Sequence, residues 1–251
     1  MKAIILAAGQ GTRLKQHTKS IPKCLVRIKG RTLLSWQLDA IRKCGIKQII
    51  VIKGYKAGKI KYKNVKYYTN KNFAQTNMVR TLFCAAKELT RETIVSYGDI
   101  IYSEEVLRAL IRSKADISVV VDTKWQGYWK KRAKNHWLDA ESLILGENNR
   151  ILEIGQKPAT KKNTQAQYIG LIKFSRRGLQ ALKKIYVMGN KESKSNNDLW
   201  KTGRKFEELY FTDILQKLIR TGQKVTAVPI KRGWFEIDTI KDIRIASTEL
   251  K

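Results

Sequence analysis

The N-terminal stretch constrains this chain more than any other. An apolar run over residues 3–8 leads directly into Gly9-Gln10-Gly11-Thr12-Arg13-Leu14, and Pro22-Lys23-Cys24-Leu25 follows closely. Such a run reads as a buried strand. A strand that ends in a Gly-x-Gly turn exposes successive backbone N–H groups, and the lack of side-chain bulk lets an anion reach them. An Arg and a Lys nearby turn that nest into a polyphosphate clamp, because guanidinium is a planar fork and ammonium a mobile point charge. Two better-known phosphate motifs are excluded. The string G-x-x-x-x-G-K-[ST] occurs nowhere in the chain, and Leu14 stands where a dinucleotide fingerprint needs its third Gly. No acidic residue follows at the distance required to hold a ribose, Asp39 lying too far on within a helical pattern. Gly-x-Gly alone also suits a plain tight turn. The spacing to Arg13 and Pro22-Lys23 is what argues for a triphosphate.

Strand and helix signals alternate along the rest of the chain. Strands are expected at 48–53, 65–69, 93–96, 117–121, 224–230 and 234–237. Helices are expected at 33–44, 77–89, 103–111, 207–220 and 240–250, with Gly45 ending the first and Glu104 and Glu105 suiting the N-terminus of the third. Residues 142–145 and 150–154 read as an antiparallel pair around Glu147-Asn148-Asn149, and 168–174 as a further strand. The polar run within 189–203 predicts a mobile surface loop. Together these predict an α/β fold, a Rossmann-like three-layer α/β/α sandwich over residues 1–251 as one domain, with a mixed, mainly parallel central sheet and a small antiparallel addition. Ligands in such sheets sit beyond the strand C-termini.

Composition narrows the setting. A length of 251 residues with 43% hydrophobic content and six Trp supports one sizeable core. No apolar run approaches the roughly 18 to 20 residues that span a bilayer, and residues 3–8 are too short for a signal-peptide core. Three cysteines, Cys24, Cys44 and Cys84, with no C-x-x-C spacing suggest neither a disulfide framework nor a zinc site. A cytoplasmic protein is the simplest expectation, and self-association is left open. The 51 Lys and Arg against 21 Asp and Glu give a formal net charge of +30, which favours polyanionic partners. The basic residues are spread along the whole chain without an aromatic RNP-type motif, so a Lys-rich solvated surface is preferred to dedicated nucleic-acid binding.

Several carboxylates and aromatics are candidates for chemistry. Asp99 follows a predicted strand at the rim that carries the Gly9 loop, where a carboxylate can share Mg²⁺ with substrate phosphates, or can simply serve a turn after Gly98. Glu236 and Asp238 alternate near the C-terminus as a second metal-binding pair, and Asp238 also suits the N-cap of the closing helix. Trp125, Tyr128 and Trp129 stand at spacings that fit either a cage for an ammonium group or a helix face packed into the core. With His17 and His136 the only histidines and no H-E-x-x-H, a histidine-centred mechanism finds no support.

Leu6-Ala7-Ala8-Gly9-x-Gly11-Thr12-Arg13-Leu14 with Pro22-Lys23-x-Leu25 resembles the signature of the nucleotidyltransferases that make sugar nucleotides and CDP-alcohols. The resemblance implies a nucleotide-diphospho-sugar transferase-like fold. It also implies a nucleotide-binding loop of Ala8, Gly9, Gly11, Thr12 and Arg13, with Arg13 and Lys23 as the catalytic cations, and metal binding by Asp99, Glu236 and Asp238. The chain lacks the Q-x-x-P-x-G-[LT]-A stretch of hexose-1-phosphate members. In its place, Asn72 to Met78 includes Thr76 and Asn77, similar to the subgroup of cytidylyltransferases acting on phosphocholine and related compounds. Thr76 and Asn77 are then expected at the base, Asn77 also suiting a helix N-cap. Gly155-Gln156-Lys157-Pro158 resembles the E-K-P element with its acid lost, placing Lys157 at the acceptor phosphate, and Gln167-Tyr168-Ile169-Gly170 resembles the acceptor-side strand. Trp125, Trp129, Lys157 and Tyr168 are the expected acceptor contacts. The expected reaction couples CTP to a small phosphorylated alcohol or phosphonate with Mg²⁺ as cofactor and releases pyrophosphate. A sugar-1-phosphate nucleotidyltransferase using another NTP is the alternative within the class, and a basic RNA-binding protein the alternative outside it.

Overall fold

The computed structural model describes residues 1–133, 135–157, 159–195, 200 and 202–250. In chain order the strands and helices are β1 (Lys2–Ala7), α1 (Gln16–Lys19), β2 (Arg27–Ile28), β3 (Arg31–Thr32), α2 (Leu33–Lys43), β4 (Gln48–Lys53), β5 (Lys66–Thr69), α3 (Met78–Phe83), β6 (Thr93–Tyr97), β7 (Ile100–Tyr102) and α4 (Glu104–Arg112). Then come β8 (Ile117–Asp122), α5 (Trp125–Arg132), β9 (Leu143–Leu145), β10 (Ile151–Ile154), β11 (Gln167–Phe174), α6 (Arg176–Glu192), α7 (Phe211–Arg220), β12 (Val225–Ile230), β13 (Trp234–Glu236) and α8 (Ile240–Glu249). Seven strands form the central sheet in the order β12-β8-β11-β6-β1-β4-β5. All run parallel except β11, which pairs antiparallel with both β6 and β8. Pro229 lies in the edge strand β12, where a missing N–H leaves no ladder bond unmade on the outer side.

Strand alternation builds two cores, one on each face of the sheet. Ala3, Ile5 and Ala7 of β1 join Ile49 and Val51 of β4 beneath α2, α4 and α5, whereas Ile4, Leu6, Ile50 and Ile52 face α3, α6 and α7. This is the expected three-layer sandwich. The helices are fixed at their starts by side chains: the Thr32 hydroxyl accepts from the Ser35 N–H at 3.0 Å at α2, and Ser103 accepts from Val106 at α4. β9 and β10 pair antiparallel as expected and sit apart from the main sheet. Among the described residues no helix is long and apolar enough to cross a membrane, and all three cysteines are unlinked.

Three expectations are corrected. The helix expected at 77–89 is a short α3 followed by a tight turn at Ala86–Glu88. The tightening buries Leu89 and delivers Glu88 to Lys2, Lys66 and Tyr68, an ion cluster that outweighs the continuation of one helix. The helix expected at 207–220 is interrupted at Leu209 and Tyr210, where Tyr210 and Asp213 form a reciprocal cap that starts α7 afresh. Of the loop expected at 189–203, Gly189 to Glu192 are the last turn of α6, and Glu192 accepts from Trp200 Nε1 at 2.9 Å. Residues 196–199 and 201 of that expectation lie outside the described residues.

The Glu88 cluster gives a pH test of edge stability. Hydrogen bonds from Lys66, Tyr68 and Lys2 hold the Glu88 carboxyl down at about 2. A depressed carboxylate contributes stability that is present above its unfolded value near 4.3 and is lost as pH falls through its folded value. Glu88→Gln is expected to cost about 1 kcal/mol at pH 7, because solvent screening trims the full linkage value. The Tm gap between variant and parent should narrow between pH 5 and about pH 2; a gap that is constant across that range would place the effect in packing instead.

Candidate active site

The C-terminal ends of β1 and β6 lie side by side in parallel register, Leu6 against Tyr97, so the loops that follow them share one rim. Gly98 makes this close approach workable: a Cβ there would stand 2.6 Å from the Leu6 carbonyl oxygen, and the Gly98 N–H donates to that same oxygen at 3.0 Å. The loop after β1 turns at Gly11, which adopts φ +72°, and any side chain there would meet the stem of Lys23 at 2.9 Å. Thr18 ties the loop down through its hydroxyl, which donates to the Gly11 carbonyl at 2.8 Å. The Gly9 loop, Lys23 and Asp99 thus come together through local backbone geometry at the strand ends.

Asp238 arrives from the far end of the chain. β13 pairs antiparallel with β7, and the Ile237 N–H donates to the Asp99 carbonyl at 3.0 Å, which sets Asp238 beside Asp99. The residue that caps α8 is Thr239, in a reciprocal box with Asp242, so the N-cap alternative for Asp238 is overturned and its carboxylate is released toward the cleft. Lys23 Nζ bonds both acids: Asp99 Oδ2 at 2.7 Å and Asp238 Oδ1. Arg13 reaches Asp238 Oδ2 at 3.0 Å with its guanidinium largely in solvent. Burial works against the charge on Lys23, yet Asp99 and Asp238 override it and raise its pKa. Burial likewise opposes ionisation of Asp238, but Lys23, Arg13 and Arg132 outweigh it and hold the pKa below the usual carboxylate range.

Glu236 occupies a different environment. Its carboxylate is bound by Arg132, and burial still pushes it up to about 7. Arg132, from the end of α5, also contacts Asp242 at 2.9 Å and Asp238 at 3.5 Å with its side chain only 5% exposed. Among the described residues no group of three His, Cys, Asp or Glu is arranged to hold a metal ion. The expected trio therefore resolves into the pair Asp99 and Asp238, with Glu236 tied to Arg132. Asp99 Oδ1 is buried without a hydrogen-bond partner among the described residues, so the pair retains an acceptor position for a cation.

These groups stand on one wall of a cleft of about 750 Å³ that is also lined by Ala8, Gly9, Gly11, Thr12, Thr76 and Asn77. Thr76 and Asn77 are committed to structure: the Thr76 hydroxyl is bound to Asn70 and to the Asn72 carbonyl, and Asn77 Nδ2 donates to the Glu208 carbonyl at 3.2 Å. Asn77 precedes α3 yet makes no side-chain cap, so its alternative role as an N-cap is not realised. Lys157, Tyr168 and Trp129 also line the cleft, with Glu141, Arg204 and Tyr210. Lys157 donates to the Leu138 carbonyl at 2.7 Å, while Pro158 of the same element lies outside the described residues.

The aromatic group divides. Trp125 is 1% exposed and is not on the cleft wall; it packs edge-on to Trp129 and Trp137. Its placement as an acceptor contact is corrected to core, because α5 turns it inward with Tyr128. Trp129 lines the cleft by one edge, and its Nε1 is buried without a partner among the described residues. The ring faces are already taken by the chain's own cations, with Arg132 4.9 Å from the Trp129 centroid and Arg232 3.9 Å from that of Tyr128. Asp139 and Glu141, which the sequence offers as added charge beside the aromatic group, line the cleft, whereas Arg204 on its wall and Arg132 behind Asp238 carried no sequence signal. Both arginines lie in irregular or basic stretches where one charged residue looks like the next.

Comparison with known proteins fits this geometry. The MobA-like NTP transferase domain matches residues 3–193. The chain is 36% identical over 256 residues to the CTP:phosphoglutamine cytidylyltransferase of Campylobacter jejuni, across 98% of this chain and 98% of that protein. It is 28% identical over 158 residues to the choline-phosphate cytidylyltransferase of Streptococcus pneumoniae, across 61% of this chain and 63% of that one. The solved CTP:phosphocholine cytidylyltransferase from Streptococcus pneumoniae shares the fold with a TM-score of 0.68 at 22% identity, covering 100% of this chain and 99% of that one. This chain belongs to the MobA-like NTP transferase family and is a nucleotidyltransferase.

Proposed function

We propose that the protein is a Mg²⁺-dependent cytidylyltransferase that couples CTP to a small phosphorylated acceptor and releases pyrophosphate. The observation that carries the reading is the meeting of Arg13, Lys23, Asp99 and Asp238 at one point of the cleft beside the Gly9 loop. The full-length similarity to a CTP-using enzyme supports cytidine over other bases.

Each residue has a role that follows from its chemistry. The open backbone of Gly9 to Thr12 receives the triphosphate, and Arg13, half free in solvent, swings onto it from Asp238. Asp99 and Asp238 would hold Mg²⁺, which suits one or two carboxylates plus phosphate oxygens and would supply positive charge for the leaving pyrophosphate. Lys23 shifts from the two carboxylates to the phosphate under attack. An acceptor phosphate is already largely dianionic near neutral pH, so its oxygen attacks the α-phosphorus in line without a general base, and the bond to the β-phosphate oxygen breaks.

The test is pyrophosphate release by purified protein with Mg²⁺ and each NTP, against phosphocholine, phosphoethanolamine, aminoethylphosphonate, phosphorylated amino acids and sugar 1-phosphates. Release is expected with CTP and at least one non-sugar acceptor. Turnover only with a sugar 1-phosphate, or only with another NTP, would overturn the cytidylyltransferase assignment.

A further inference from the structure

The buried residues of α2 are apolar except one. Leu33, Leu34, Leu38, Ala40 and Ile41 join the core, and among them Gln37 is 0% exposed. A buried amide costs stability unless its donors and acceptor are met, a burden that an apolar side chain would not carry. Gln37 meets them on a single turn. Its Nε2 donates to the Tyr97 carbonyl at 3.0 Å and to the Ile100 carbonyl at 2.8 Å, while its Oε1 accepts from the Ser96 hydroxyl at 2.8 Å. Both amide hydrogens therefore go to the two carbonyls that flank Gly98 and Asp99.

At that turn the chain leaves the main sheet. β6 ends at Tyr97, and β7, which starts at Ile100, belongs to the separate ladder with β13. Gly98 gives the turn little stiffness of its own, so its shape depends on what holds its two ends. One amide nitrogen bonded to both carbonyls fixes their separation and the direction in which the Asp99 side chain leaves the backbone. The hold extends to the second acid. Ile100 pairs with Glu236, and the Ile237 N–H donates to the Asp99 carbonyl at 3.0 Å, so the segment that carries Asp238 is registered on the same turn. Gln37 itself does not line the cleft.

We propose that Gln37 is a positioning residue for the metal-binding acids: through the backbone of residues 97–100 it holds Asp99, and through Asp99 the segment of Asp238, in the arrangement that receives Mg²⁺. This rests on the reading of Asp99 and Asp238 as the metal-binding pair. Outer partners of metal ligands affect metal affinity or activity by about 10- to 100-fold.

Gln37→Met and Gln37→Leu remove all three hydrogen bonds and keep an apolar side chain of similar size. They are compared with Ile41→Ala, a core change on the same helix whose side chain makes no hydrogen bond, and with Asp99→Asn. Two constants are read: the Kd for Mg²⁺ alone, titrated by calorimetry into protein without nucleotide or acceptor, and the Mg²⁺ concentration for half-maximal pyrophosphate release. In whichever Gln37 variant folds, both constants are expected to rise on the order of 10-fold, with the acceptor's KM within about twofold of the parent. Ile41→Ala is expected to lower the Tm and leave both constants in place. Parent-like Mg²⁺ constants in a folded Gln37 variant, or an equal rise in Ile41→Ala, overturn the positioning role while leaving the acids as metal ligands. Parent-like Mg²⁺ constants in Asp99→Asn overturn the metal reading, and the role of Gln37 with it.

Discussion

Lys23→Met is expected to lower kcat by about 10³-fold or more, since it deletes the cation that the proposed mechanism sets against the charge developing during phosphoryl transfer. The same change should destabilise the protein in the absence of metal. Lys23 is the shared counter-ion of two carboxylates, and its side chain is 11% exposed. Removing one member of a buried ion cluster leaves the others uncompensated, at a cost of about 3 kcal/mol. On the proposed reading Mg²⁺ would supply the missing charge at that point, so millimolar Mg²⁺ should raise the Tm of Lys23→Met by more than it raises the Tm of the parent. Retained kcat, or a Tm response to Mg²⁺ no larger than the parent's, would separate Lys23 from the metal-binding acids.

Asp238→Asn should produce the next largest loss, about 10²- to 10³-fold in kcat, with the Mg²⁺ concentration for half-maximal rate displaced upward. Asp238 is contacted by Arg13, Lys23 and Arg132 at once, so neutralising it removes the carboxylate on which three cations converge. The amide keeps the shape, and α8 keeps its cap because Thr239 and Asp242 supply it. A reduced rate with an unchanged Mg²⁺ requirement would mean that Asp238 orders Arg13 and Lys23 rather than holding the ion.

The parts of the site that could be read from sequence are those built by consecutive residues. Gly9 to Arg13 is a strand end and a turn, and its chemistry is local; Asp99 follows a strand by the same logic. The sheet was legible because buried strands such as β1 and β8 carry unbroken apolar runs, Ala3 to Ala7 and Val119 to Val121. Asp238 was ambiguous between a cap and a ligand, although Thr239 and Asp242 already stand at the spacing of a reciprocal cap. Arg132 and Arg204 were not legible: their roles depend on acids 104 to 110 residues away in one case and on a stacked ring in the other. The Trp125 group offered both readings, and packing decided it, since Trp125 is buried against Trp129 and Trp137 while Tyr128 and Trp129 each meet an arginine of the same chain.

The reversed direction of β11 has a consequence for how such a chain can change. Because β11 starts at the rim where β8 ends, Gln167 pairs with Asp122, and everything between them leaves and re-enters the sheet at one doorway. That excursion carries Trp129, Glu141 and Lys157, all of them on the cleft. Its two ends are pinned as neighbours whatever its length, and the entropy of closing it grows only slowly as residues are added. In the proposed reading, the acceptor contacts thus sit on an interchangeable bay, free to be lengthened, shortened or re-lined while the Gly9 loop stays in place.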